Sequence, residues 1–539
     1  MRMNQFATDE NKVKRLLLVI FLIATSVFLA RFGLVKKMPV IGLLIPLVGV
    51  ASWLLGRPAL LFALVLAVER SGISIPGMPK AIGFAKLFQL LLFGWMLLDV
   101  MVRHNRPRFS FRKGIDGWLV VFFLNLLFIM AMRGSGFALL GGSVYGGTYY
   151  IGVFITILCY FAAIRARLSD KDVKILLFMF LFATMLPAGV QVLKSLVPSA
   201  AGGLARYIGV SAVEQSDSIS TDNVIQRWSG FISLSQALVM IAYVFFKKIS
   251  TRLLLIVLAC GLVSMSGFRS SLIQTAMLIF FVSVYYSKQR GRAVFRWIIA
   301  GVLGWVFLMM ITPSLPLPTQ RSLSFIPFLP VSAEVAVNAE SSSDFRFEIW
   351  KQYCIPNVPK YLLIGRGLAH DITQYAWLTS RWYGSLEFYY YMGSYHSGLF
   401  SLLLDYGLLG LVSFTLFFLL VAGDAWRTTR RYAAHQDTLC ARYYVYLTIL
   451  MTYEIFNYFF IFGAVLSSLF RMLMIAAQLR ILKKNFLLES LPAAGMPEVR
   501  SQRSGFRRQV SGGSPATQQL TTNSARPVNR WARPGAARR

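Results

Sequence analysis

Acidic side chains are scarce in this sequence: 22 Asp and Glu stand against 55 Lys and Arg, and charged residues of both signs fill only 14% of 539 positions. So little charge cannot coat a water-soluble globule of this size. Cysteine and histidine are also sparse, at four each. Cys159, Cys260, Cys354 and Cys440 lie far apart, so neither a disulfide framework nor a zinc site is supported, and no acidic cluster of metal-ligand type offers itself. No cofactor is expected.

Apolar residues are abundant instead, at 56% with a mean hydropathy of +0.60. The bilayer must then be the solvent. A span takes about 20 predominantly apolar residues, and its backbone groups must be satisfied within the segment, which favours helices. The expected fold class is all-α, a polytopic integral membrane helix bundle. Apolar runs centre near 16–32, 39–55, 57–69, 81–102, 117–133, 147–164, 174–194, 229–246, 252–267, 270–287 and 296–312, then near 397–421, 443–462 and 464–482. The third is short and the last two are nearly continuous, so 12 to 14 spans are expected. The first run lacks a small-residue cleavage pattern and reads as a retained signal anchor.

A formal charge of +33 invites thought of nucleic acid, yet the basic residues fall in short blocks between apolar runs and in the tail, without a reading motif. That placement is the positive-inside pattern. Lys12, Lys14 and Arg15, the block from Arg103 to Lys113, the block from Arg165 to Lys174, Lys247 and Lys248, Lys288 to Arg292, and Arg427 to Arg431 mark cytoplasmic loops. Threading the chain through them places 195–228 and 313–396 outside and both termini inside. Arg31, Lys36 and Lys37 conflict with the rule. The expected organisation is an N-terminal transmembrane bundle over 1–312, a large periplasmic loop over 313–396, C-terminal transmembrane helices over 397–485 and a basic, disordered cytoplasmic tail over 486–539. The tail is rich in Ser, Gly, Pro and Arg, suited to anionic headgroups.

The outer loop is dense in aromatics, from Phe345, Phe347 and Trp350 to Tyr389, Tyr390, Tyr391 and Tyr395. Such rings pack on pyranose faces, or sit as a belt at the headgroup level. At the end of the loop, His396 and Ser397 are followed by nine residues, Gly407, two residues and Gly410, within YHSGLFSLLLDYGLLGLVSFTLFFLL. This resembles the bacterial O-antigen ligase and O-antigen polymerase superfamily. Upstream, RFEIWKQYCIPNVPKYLLIGRGLAH resembles its Arg-x-x-x-Trp segment, with a Gly-x-Gly turn at Gly365 and Gly367, and SGFRSSLIQTAMLIF resembles its Ser-Arg segment opening a helix. These matches run from about residue 265 to 420.

The resemblance implies a membrane glycosyltransferase, working without a metal, that moves a glycan from a polyprenyl-diphosphate carrier to an acceptor hydroxyl on the periplasmic face of the bacterial inner membrane. Ligase and polymerase share these motifs, and the acceptor, whether glycan, lipid or protein, is not legible. Such transfer needs a group that orients and deprotonates the acceptor, and fixed cations for the departing diphosphate. His396 suits the first role; a His bonding at the headgroups is the plainer alternative. Arg346 is the leading candidate for the diphosphate, because a guanidinium stays charged and matches phosphate oxygens. Arg206 and Arg227 are further candidates, since the family carries an essential Arg in the earlier outer loop. Arg269, at the outer end of its helix, either supports the donor site or snorkels, an Arg at the bilayer centre costing about 2.5 to 3.5 kcal/mol. Asp405 is out of phase with His396 on an ideal helix and receives no role. His370 reads as an ordinary loop residue, and His104 and His435 fall in predicted cytoplasmic loops. A transporter or flippase of polyprenyl-linked glycans is the rival. It is disfavoured by the lack of an internal repeat and by few deep ionisable groups, Glu454 being the clearest.

Overall fold

The computed structural model describes residues 54, 57–73, 84–102, 111–134, 144–197, 227–287, 289–371, 377, 385–433 and 436–489. The first predicted run, all of the second but Leu54, Arg206, His104, His435 and nearly all of the basic tail lie outside these residues. Every predicted run from residue 57 onward is a helix. In order they are Pro58–Ser71, Phe84–Val102, Lys113–Arg133, Gly147–Ala163, Asp170–Leu196, Ser229–Val244, Ile249–Met265, Arg269–Tyr286, Arg290–Ile311, Gly398–Arg431, Leu439–Phe460 and Val465–Glu489. Among the described residues five helical stretches are long and apolar enough to cross a membrane: Lys113–Arg133, Asp170–Leu196, Arg290–Ser314, Gly398–Arg431 and Val465–Phe486. Three shorter apolar helices, Gly147–Ala163, Ser229–Val244 and Ile249–Met265, accompany them. Among the described residues one small departure from an all-helical chain exists, a two-residue antiparallel pairing of Val144–Tyr145 with His370–Asp371.

Local chemistry sets several ends. Ser169 caps Asp170–Leu196 through a reciprocal exchange with Asp172, and the Thr438 hydroxyl accepts from the Ala441 N–H at the start of Leu439–Phe460. Gly398–Arg431 packs against Lys113–Arg133 and Leu439–Phe460, and Ser229–Val244 against Asp170–Leu196 and Ile249–Met265. Aromatic rings fill the seam around the first of these: Phe122 lies 5.3 Å from Tyr406, Phe414 5.0 Å from Tyr458 and Tyr160 5.6 Å from Phe417. Helix Arg290–Ile311 differs, since none of its most apolar stretch is buried.

Several charged groups inside the bundle are paired, which offsets the cost of a low-dielectric surround. Arg480 donates to both oxygens of the fully buried Asp116 at 2.9 and 3.2 Å, and the Tyr160 hydroxyl donates to the same carboxylate at 2.9 Å. Lys483 and Arg112 both donate to Asp424 at 2.8 Å, and Arg165 to Asp99 at 2.8 Å. Buried ionisable groups are thus more numerous than the sequence suggested, because each hides within an otherwise apolar run or at its margin.

Candidate active site

The predicted loop between the ninth and tenth described long helices is largely helical, with Leu317–Leu323, Ala333–Ile349, Ile355–Tyr361 and Leu386–Tyr391 in it. A π-helical turn, Trp350–Cys354, joins Ala333–Ile349 to Ile355–Tyr361. Its aromatics are partly internal rather than a uniform surface belt: Tyr395 is fully buried, and the Trp350 indole N–H donates to the Tyr395 carbonyl at 2.7 Å.

The Gly-x-x-Gly element is a break in Gly398–Arg431 rather than a smooth packing stripe. Gly407 adopts φ 69° and ψ −175°, a conformation open essentially to glycine alone, and this interrupts the backbone ladder. The interrupted groups find partners in the Gly-Arg-Gly turn. Arg366 N donates to Leu404 O at 2.7 Å, Gly367 N to Asp405 O at 3.1 Å and Leu408 N to Leu362 O at 2.6 Å, while Asn125 Nδ2 serves Tyr406 O at 2.9 Å. The turn lies so close that a Cβ on Gly365 would collide with the Asp405 carbonyl, and one on Gly407 would stand 2.7 Å from Leu363 O. The two glycine motifs, some forty residues apart in sequence, therefore form one joint.

That joint orients the residue beside His396. Arg366 Nε donates to Asp405 Oδ1 at 2.9 Å, and the Tyr395 hydroxyl donates to the same oxygen at 2.8 Å. The guanidinium also lies over the rings of Tyr390 and Tyr395, at 5.1 and 5.4 Å from their centroids. With Trp350 on its carbonyl and Asp405 on its hydroxyl, Tyr395 is held at both ends. His396 then takes φ 55°, uncommon for a residue with a side chain and found where the surroundings over-determine it. Asp405 thus fixes the hydroxyl of the residue beside His396, a contact the sequence did not disclose. Cys354, buried beneath this cluster, has its thiol pushed up to about 12 by burial and stays protonated.

The His396 ring lies among Phe462, Phe345 and Tyr389, at 5.4, 6.4 and 6.4 Å between centroids. Burial first, then the nearby positive charge of Arg346, lowers its pKa to about 4. The imidazole is neutral at physiological pH and retains a nitrogen lone pair to accept a proton. It borders a cavity of about 980 Å³ that also takes in Arg227, Arg269, Arg321 and Arg346. Four separate segments deliver these arginines. Arg346 stands one turn before Trp350, on the same helical face, so the Arg-x-x-x-Trp spacing lets one residue anchor the segment while the other reaches the cavity. Arg269 opens its helix and donates to Ala339 O at 2.7 Å, Arg227 lies over the Phe268 ring, and the buried Arg321 donates to Asn338 Oδ1 at 2.7 Å and to Gly267 O. Burial, then the Arg227 charge, pushes Arg346 below the ordinary arginine range, and the charges of Arg346 and Arg227 both act on Arg269. An anion entering here relieves that mutual repulsion.

Three of the sequence candidates, Arg227, Arg269 and Arg346, therefore meet His396 around one cavity; Arg206 is outside the described residues. Arg321, Arg366 and Asp405 were missed. Arg321 follows a Pro-rich stretch with no motif around it, and only the Gly-Arg-Gly turn hinted at Arg366. Further into the bundle the cavity is bordered by Glu454 and Arg471, paired at 2.7 Å, and by Arg70, which donates to Gln236 at 3.1 Å.

No curated protein matches the chain. Residues 253–415 match the model of the O-antigen ligase family, spanning Arg269, Arg321, Arg346, the Gly-Arg-Gly turn, His396 and the helix break at Gly407, and this segment is accordingly one of the O-antigen ligase family.

Proposed function

We propose that this protein is a membrane glycosyltransferase of O-antigen ligase or polymerase type, acting on a polyprenyl-diphosphate-linked glycan at the periplasmic face of a bacterial inner membrane. The observation that carries this reading is the convergence of a neutral imidazole with the guanidinium groups of Arg227, Arg269, Arg321 and Arg346 on one cavity within a membrane bundle. In the reaction, the acceptor oxygen attacks the anomeric carbon of the donor sugar while the bond from that carbon to the diphosphate oxygen breaks. His396 takes the proton leaving the acceptor hydroxyl, and the polyprenyl diphosphate departs with the bonding electron pair. Arg346, Arg269 and Arg227 offset the charge that builds on it, fixed in place before the reaction starts. Tyr395, Asp405, Arg366 and Trp350 hold His396 in position. The aromatic rings around His396 offer stacking faces for the acceptor or donor sugar.

The test is complementation of a deletion strain with His396→Ala and Arg346→Ala, reading surface polysaccharide on gels and the membrane level of each variant. Loss of polymer at normal protein level is expected for both; a wild-type polymer pattern from His396→Ala overturns the catalytic assignment. The pair Glu454–Arg471 on the cavity wall favours a transporter of polyprenyl-linked glycans, because paired charges deep in a bundle also mark translocation pathways. Detergent-solubilised protein distinguishes the two, since transfer needs no membrane to cross.

A further inference from the structure

A second cavity, of about 520 Å³, is bordered by Arg430, at the end of Gly398–Arg431 far from His396, and by Arg290, the first residue of its helix. Four helices border it: Arg269–Tyr286 gives Phe281, Val284 and Tyr285, Arg290–Ile311 gives Arg290, Gly398–Arg431 gives Trp426 and Arg430, and Leu439–Phe460 gives Ile449 and Thr452. Its walls are fixed. The Trp426 indole N–H donates to Thr452 Oγ1 at 2.8 Å, and the Tyr285 ring stands 5.4 Å from Trp426. At the mouth, Arg290 and Arg430 come from two different helices and are both close enough for their charge to act on Tyr285. Among the described residues, no carboxylate borders the cavity.

We infer that this cavity is a binding site for the phosphodiester headgroup of an anionic phospholipid. Two guanidinium groups of exposed side chains at the membrane surface suit a phosphate, and basic pockets between transmembrane helices on the cytoplasmic side are where anionic lipids are taken. The apolar floor of Phe281, Val284 and Ile449 suits the first part of an acyl chain, which free phosphate lacks. Helix Arg290–Ile311, which opens with Arg290 at this cavity, has none of its most apolar stretch buried and so leaves that stretch to lipid. A lipid seated there wedges that helix against the bundle.

The experiment uses the full-length protein purified in a zwitterionic detergent. Retained lipid is read by native mass spectrometry after incubation with phosphatidylglycerol, with phosphatidylcholine, or with phosphatidylglycerol plus excess inorganic phosphate. Wild type should retain phosphatidylglycerol over phosphatidylcholine. Each of Arg290→Gln and Arg430→Gln should lower that retention roughly fivefold. Val284→Trp, which keeps both charges but fills the floor, should abolish it. Arg427→Gln combined with Arg431→Gln, removing two exposed charges of the same helix that do not border the cavity, should change little. Equal loss in that control pair would overturn the proposal in favour of diffuse attraction. Full displacement by inorganic phosphate, or retention by Val284→Trp, would overturn the lipid assignment. None of these readouts depends on glycan transfer.

Discussion

The imidazole of His396 is bounded by Phe345, Tyr389 and Phe462 and lies beside the charge of Arg346, and its pKa of about 4 follows from those neighbours. A base must be unprotonated to act, so kcat/KM for transfer should rise through about pH 4 and stay level towards neutrality as far as this group governs it. A fall-off centred near 6.5 would contradict the account. Arg346→Gln removes one of the two causes of the shift and should move the inflection upward. The same shift affects folding. The unfolded imidazole takes its proton near 6.5 and the folded one only near 4, so between these values the unfolded chain binds more protons. This group therefore leaves stability unchanged above about pH 6.5 and lowers it as pH falls towards 4. Thermal unfolding should show His396→Gln losing less stability over that interval than wild type. His396 and Arg346 stand out in the sequence because each sits in a motif, whereas Asp405 does not. Counted on an ideal helix it faces away from His396, and in the structure it acts through the neighbouring Tyr395.

Two elements carry most of the precision of the site: the broken helix Gly398–Arg431 and the Gly-Arg-Gly turn docked into its break. Gly407→Ala forces a side chain into a conformation that costs of order 1–3 kcal/mol, before its contact with Leu363 O is counted. Gly365→Ala collides with the Asp405 carbonyl. Both variants should show reduced folded protein in a fluorescence-detected size-exclusion profile, while Gly423→Ala, on the same helix with open space around it, should not. Trp350→Phe is a finer test. It keeps the ring but leaves the Tyr395 carbonyl without its donor, so stability should drop by about 1 kcal/mol and transfer by more than that loss explains. An unchanged rate would remove Trp350 from the positioning of His396. The helices themselves were readable because a bilayer demands long apolar runs, and all twelve predicted from residue 57 onward appear. The break at Gly407 was not, because its spacing with Gly410 equally suits a continuous helix packed through small residues.

Across the whole bundle, the feature hardest to foresee is which distant residues meet. Arg366 with Asp405, Glu454 with Arg471 and Arg480 with Asp116 join segments 39, 17 and 364 residues apart, counted from their numbers, and nothing in the order of residues records such pairings. Glu454→Gln leaves Arg471 without its counter-charge at the cavity wall. It should destabilise the protein by roughly 3–5 kcal/mol if the pair is fully desolvated, and by less to the extent that the partly exposed Arg471 is hydrated from the cavity. Joint exchange of the two residues, Glu454→Arg with Arg471→Glu, should recover part of the loss in a thermal-shift measurement. On the proposed reading, the cavity bordered by His396 and the arginines performs the transfer itself. The most direct test of that reading supplies purified protein with a polyprenyl-diphosphate-linked glycan and an acceptor, then measures elongated or ligated product together with released polyprenyl diphosphate. Wild type should yield both in equal amounts, and His396→Ala should yield neither while still binding donor. Turnover by His396→Ala at the wild-type rate would contradict the account.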